Sequence, residues 1–291
     1  MFSLHRILIR SSGSIFGKEV LTMKKIFAFA LACAMMLALV ACGGSGSASS
    51  SGDSAPAKVV MGTSADYPPF VFHILDNGED KIVGIDVSLG QQIAADMGAE
   101  FEVVHMDFDN LLTLMAQGNC DMVIAAMELN EDRPNTADYS DPYYSDVPPV
   151  ILVKKGNEGN YASLADFAGK MVGAQLATTK ADIVVNDMPG AEPMLMSSVV
   201  DLVNNLVYDK CEALVLDGAV AEKYLAANDQ LAAVDIDMGE AAEPYRVWVA
   251  KGDPKGLLPH INETIAKVTS DGSMTSWIEQ ANEQSSQALE G

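Results

Sequence analysis

The chain has 291 residues, 49% hydrophobic and 20% charged, with 18 basic against 40 acidic side chains and a formal net charge of −22. Five bases and one acid precede Cys42, leaving 13 against 39 from there on, a surface that repels nucleic acid but belongs to a folded globular protein and not to a disordered acidic tail. About 250 residues beyond Cys42 are enough for two lobes with their own cores.

Residues 23–42, MKKIFAFALACAMMLALVAC, read as a targeting segment. Lys24 and Lys25 form its basic region and Ile26 to Val40 its apolar run, which is shorter than the ~20 residues of a membrane-spanning helix. Export is therefore expected, with a signal peptide over 23–41. Leu39-Val40-Ala41-Cys42 resembles the bacterial lipobox. That resemblance implies cleavage before Cys42, lipidation of its thiol and anchoring at the outer face of the membrane. An ordinary cleaved signal with an incidental cysteine is the alternative. Residues 1–22 stand upstream of a complete signal and read as an over-extended start, while 42–57, ending in GGSGSASSSGDSAPA, read as a flexible tether.

The ordered chain is expected to start with a strand at Lys58 to Gly62, followed by the loop TSADYPPF and a hairpin, Val71 to Leu75 with Lys81 to Val83, around Asp76-Asn77-Gly78. An amphipathic helix to about Met97 buries Val87, Ile93 and Ala94. A strand at Phe101 to His105 and a helix from Phe108 to Gln117 follow, stopped by Gly118. Met122 to Ala126 is a short apolar run without helical spacing, as in a buried parallel strand. Beyond it Asn130 suits a helix N-cap and Arg133 falls in the first turn, so free N–H groups, the helix dipole and a guanidinium should converge on an anion.

In the second half, Val150 to Lys154, Met171 to Gln175, Leu195 to Met196, Ala213 to Leu216 and Tyr245 to Ala250 read as strands. Leu164 to Phe167, a stretch capped by Thr178-Thr179 and running to Asp187, Val200 to Val207, Ala219 to Ala227, Leu257 to Ser270 and Met274 to Glu283 read as helices. The chain also repeats itself. DNLLTLMAQGNCDMVIAAM (109–127) and VDLVNNLVYDKCEALVLDG (200–218) align without a gap, matching Cys120 to Cys211, Asp121 to Glu212 and Ala126 to Asp217. Two similar lobes follow, which places Cys120 and Cys211 apart as buried small hydrophobes and not as a disulfide.

Taken in order, GTSADYPPF (62–70), GIDVSLGQQIA (84–94), FDNLLTLMAQGNCDMVIAAM (108–127), Arg133 followed by DYSDPYY (138–144), VGAQLATT (172–179) and VLDGAVAEKYL (215–225) resemble the extracellular solute-binding proteins of the polar amino-acid ABC importer family. The resemblance spans about 58–285 and implies an α/β type II periplasmic binding fold: two Rossmann-like lobes joined by two hinge strands. Lobe 1 would take 58–142 and 246–291, lobe 2 148–240, and the hinge 143–147 and 241–245. An amino acid would be trapped between the lobes of a monomer and handed to a membrane permease whose partner ATPase lies inside the cell. No enzyme activity, cofactor, metal or nucleic acid is implied.

Carried over residue by residue, the resemblance assigns Arg133 to the ligand α-carboxylate, with Thr178 and Thr179 completing that site from the opposite lobe. Asp217 takes the α-ammonium, with Ala126 opposite it at the crevice. Tyr67 and Phe108 sandwich the ligand side chain, while Phe70, Asp86 and the acids of YSDPYY are structural. The sequence also departs from the family. Asn130 stands for a capping Thr, Ala177 for a Gly, and Ser64 where several binders of basic amino acids carry an acid. Glu128 stands for a Ser or Thr and brings a second carboxylate near Asp217, so a cation or a proton is needed between them. A cationic or multi-donor ligand would supply it, although Ser64 removes one expected partner for a distal ammonium. Two other readings stay open: an amino-acid sensor for a membrane receptor, and a dehydratase-like enzyme in which Glu128 and Asp217 act as acid and base.

Overall fold

The computed structural model describes residues 57–239 and 242–289. The upstream region, the signal segment, Cys42 and the tether up to residue 56 lie outside the described residues, as do positions 240 and 241, which include the start of the second expected hinge strand.

The first sheet grows from β1 (Lys58–Thr63), β5 (Glu100–His105), β6 (Met122–Val123), β7 (Ala137–Tyr144) and the late strand β13 (Tyr245–Ala250). Its order is β5-β1-β6-β13-β7, with β1 parallel to β5 and β6, and β13 antiparallel to both its neighbours. Between these strands lie a small sheet of β2 (Asp66–Tyr67), β3 (Val71–Asp76) and β4 (Glu79–Val83), then α1 (Ile85–Asp96), α2 (Leu111–Ala116) and the single turn α3 (Arg133–Thr136). The second sheet, β10-β9-β11-β8-β12, is built from β8 (Val150–Lys154), β9 (Met171–Gln175), β10 (Glu192–Met196), β11 (Ala213–Leu216) and β12 (Leu231–Val234). Its helices are α4 (Thr179–Asp182), α5 (Val199–Val207) and α6 (Gly218–Ala227). Because β13 returns to the first sheet after the second is complete, the chain crosses between two lobes, and α7 (Leu257–Ser270) and α8 (Ser273–Leu289) close it.

In the two large mixed sheets the inner strands β6, β8, β9 and β11 are buried on both faces, as strands between helix layers must be. In β11, Leu214 and Leu216 join one apolar cluster while Ala213 and Val215 join another, the alternation expected of a pleated strand. The same alternation runs through Met122, Val123, Ile124 and Ala125, although β6 itself is only two residues long. The strand expected to reach Ala126 stops early because the chain turns there. Ala126 sits at φ 46°, and its N–H goes to Asp86 Oδ2 at 2.8 Å instead of to a neighbouring strand.

The repeat seen in the sequence is physical. Asp121 Oδ2 accepts the N–H of Val60 at 2.7 Å, and Glu212 Oε2 accepts that of Met171 at 2.9 Å, so the acid after each cysteine pins the strand beside the central one of its own sheet, β1 or β9. Two residues further along those strands, Gly62 and Gly173 leave room for the side chains of Cys120 and Leu214. Cys120 and Cys211 are buried free thiols in different apolar clusters. The strands β7 and β12 were not anticipated, being short of apolar alternation. Among the described residues no helix is long and apolar enough to cross a membrane.

Candidate functional site

The ends of β6 and β11 deliver Ala126 and Asp217 to one crevice, the place where parallel sheets offer ligand sites. Tyr67, Phe108, Ala126, Glu128, Arg133, Gln175, Thr178, Lys180 and Asp217 line a cavity there whose atom-free space, mouth included, is about 210 Å³. That falls below the several hundred cubic ångströms of an ordinary small-molecule pocket. The reason is a side chain that occupies it.

Lys180, 4% exposed, extends from α4 and places Nζ 2.5 Å from Asp217 Oδ1 and 2.6 Å from Glu128 Oε2. The cation required between the two carboxylates is thus the chain's own. Burial opposes the charge on Lys180, but Asp217 and Glu128 more than offset it and raise its pKa. For Glu128, burial pushes the carboxyl upward while Lys180 pulls the other way. Thr179 donates its hydroxyl to the same Glu128 Oε2, and Tyr67 donates to the second oxygen of Asp217. Burial, followed by the charge of Asp217, pushes the phenol of Tyr67 far up, so it stays a donor.

Arg133 is 8% exposed, and burial draws its pKa down to about 10 against the opposing charge of Glu128. Its guanidinium lies over the Phe108 ring at 5.6 Å and donates to the carbonyl of Glu128 and, at 2.8 Å, to that of Ala177 in the other lobe. The expected helix-dipole anion site is not formed. α3 has only four residues, and Asn130 Oδ1 already takes the N–H of Arg133 at 2.9 Å and of Asp132 at 3.2 Å, so the guanidinium alone is left to grip an anion. The N-cap position of the turn falls at Asp132 and not at Asn130, whose side chain bonds the N–H groups at its entrance.

Thr178 caps α4 as expected, its Oγ1 accepting from Ala181 N at 3.2 Å and donating to the carbonyl of Gln175 at 2.6 Å. Ala177 beside it sits at φ 63°, and so with Ala126 the crevice holds two alanines in the left-handed region that favours glycine. Thr179 lies just outside this cavity, against Glu128 and a second hollow. Ser64 lies away from it too, donating to Asp66 at 2.9 Å and lining a neighbouring hollow with His73 and His105. Phe70 is core, packed edge-on against Tyr144 and Tyr245. Asp86 is fully buried between Tyr143 and Ala126, a structural role. Gln175 and Lys180 were missed. For Lys180 a signal existed, a lone cation one residue beyond the Thr178-Thr179 pair.

Further links draw the lobes together. Ser197 Oγ donates to Asp109 at 2.8 Å, and Val199 N, in the first turn of α5, to Asp66 Oδ2 at 2.7 Å. Among the described residues no group of three or more His, Cys, Asp and Glu is placed to hold a metal ion.

The model of the bacterial extracellular solute-binding proteins, family 3, matches residues 59–282. The chain belongs to that family. Family 3 is a family of solute-binding proteins and not of enzymes, in keeping with the sequence motifs. Among similar proteins, the arginine-binding extracellular protein ArtP of Bacillus subtilis is 33% identical over 87% of this chain and 95% of its own. The L-cystine-binding protein TcyJ of Escherichia coli is 29% identical over 74% and 79%. In structure, the amino-acid ABC transporter substrate-binding protein AbpA of Streptococcus pneumoniae, bound to L-arginine, superposes with a TM-score of 0.75 at 28% identity, over 79% of this chain and 96% of that one. An ancestral arginine-binding protein bound to arginine gives 0.69 at 33% identity, over 77% and 98%. The two-lobe fold of family 3 is the fold of this chain.

Proposed function

We propose that this protein captures a polar amino acid of the cationic class between its lobes and delivers it to the permease of an ABC importer. The observation that carries the reading is that Arg133 and Asp217, a carboxylate grip and an ammonium grip contributed by different lobes, line one cavity. Arg133 has five N–H donors and uses two here on carbonyls, so it keeps donors for a ligand carboxylate. Phe108 supplies a flat apolar wall, and Tyr67 an aromatic face whose hydroxyl is committed to Asp217. Relatives named as arginine-binding support the cationic class. Closure of the lobes over the ligand, by bending near 143–147 and 241–245, would signal occupancy to the permease.

In this reading Cys42 is the lipid-bearing residue and the protein is tethered to the outer face of the membrane, monomeric and without cofactor. Titration calorimetry with L-arginine, L-lysine, L-ornithine, L-histidine, L-cystine and L-glutamine tests the ligand class. Saturable binding of a cationic member is expected, and failure of all six to bind refutes the reading. Labelling with a radioactive fatty acid tests the anchor: label should be lost on Cys42→Ala, and a label-free wild type refutes lipidation.

A further inference from the structure

Lys180, the second residue of the four-residue α4, is almost wholly buried, and a lysine so buried is rare unless it is paired. What holds it is the pair of carboxylates Glu128 and Asp217, one from each lobe. Thr179 and Tyr67 also bond these carboxylates, but both are neutral donors, so Lys180 is the cation the two acids share.

Building on the proposed amino-acid site, we propose that the ε-ammonium of Lys180 is a tethered stand-in for the ligand's α-ammonium. Both groups are tetrahedral, singly charged and carry three N–H donors, so what satisfies one satisfies the other. The two cannot occupy the point between Glu128 and Asp217 together. Binding is therefore an exchange in which the four-carbon stem swings out as the ligand enters.

Two consequences follow from the charges. Before exchange, Arg133 and Lys180 balance Glu128 and Asp217. With Lys180 withdrawn the site is left at −1, which a ligand of net charge +1 neutralises and a neutral zwitterion does not. The same lysine links the lobes through both acids, favouring closure by the chain's own groups. A ligand must then work against a competitor at very high effective concentration, and its apparent affinity falls by the fraction of time that the lysine is displaced.

Lys180→Met in the exported protein tests this, with L-arginine as the probe. Affinity measured by calorimetry should tighten about tenfold or more once the competitor is gone; unchanged or weaker binding overturns the proposal, since it would make Lys180 idle or a ligand contact. Small-angle scattering without added amino acid is the second arm. The wild type should be compact and Lys180→Met expanded, with L-arginine restoring compactness; equal dimensions of the two proteins overturn it. The double variant Glu128→Gln, Lys180→Met, which leaves one acid, serves if the single variant does not fold, and should be expanded in the same way. If neither wild type nor variant binds any amino acid, the proposed function fails, and the scattering arm still decides the role of Lys180.

Discussion

The hydroxyl of Tyr67, in the first lobe, donates to the carboxylate of Asp217, in the second, so the aromatic wall of the crevice and its ammonium grip are one bonded unit. Both groups are almost wholly buried, and a hydrogen bond to a charged partner there contributes about 1.5–3 kcal/mol. Tyr67→Phe keeps the wall and removes the bond. Asp217 retains Lys180 or a ligand cation, so folding should survive while affinity for L-arginine falls about tenfold or more by calorimetry. An affinity within twofold of the wild type would show that the bond plays no part in binding.

Glu128 decides how much negative charge the crevice can offer. Changing Glu128→Gln leaves Arg133 and Lys180 facing Asp217 alone, so withdrawal of the lysine then leaves Arg133 and Asp217 in balance and no surplus acid. Preference for L-arginine over L-glutamine, read as the ratio of their dissociation constants, should drop about tenfold. An unchanged ratio would place Glu128 outside the selection of the ligand.

Much of this arrangement was legible in the chain because it rests on local patterns. The apolar runs at Ala213 to Leu216 and Tyr245 to Ala250 are strands with those bounds, and Asp121 and Glu212, aligned by the gapless repeat, make matching bonds in their two lobes. What was not legible depends on contacts distant in sequence. Met122 to Ala126 has the composition of a full strand, but Asp86, forty residues away, takes the N–H of Ala126 and ends the pairing. Lys180 meets Glu128 only because the lobes meet, and so the need for a cation was readable at Glu128 while its source was not. Ser64, placed in the crevice by analogy, turns instead to Asp66.

Asp86 gives stability a pH dependence with a definite sign. Burial raises its carboxyl to about 7, against the lowering effect of the bonds from Tyr143 and Ala126. In the unfolded chain it titrates near 3.9. Between those values the folded protein keeps a proton that the unfolded one has released, so the contribution of Asp86 is complete below about pH 4 and is lost as pH rises through about 7. Asp86→Asn cannot titrate. The unfolding free energy of the wild type relative to this variant should therefore fall on the order of 3 kcal/mol between pH 4 and pH 8 by urea titration. Parallel pH profiles would mean that Asp86 is ionised in the fold.

Gly62 and Cys120 test the packing beneath the crevice. A Cβ on Gly62 would lie 3.3 Å from Cys120 Cβ and 2.7 Å from its Sγ, the latter closer than real side chains approach, so the glycine is required by its neighbour and not by its backbone angles. Gly62→Ala should cost about 1–3 kcal/mol through overpacking. Cys120→Ala alone leaves a small void and also destabilises. Together the two changes exchange one atom for another across the same gap, so the double variant should lose about 1 kcal/mol or more less than the sum of the single losses in urea unfolding. Strictly additive losses would mean that β1 shifts to accept the new methyl group, and that the close fit of the glycine to the cysteine does not fix the spacing between β1 and β6.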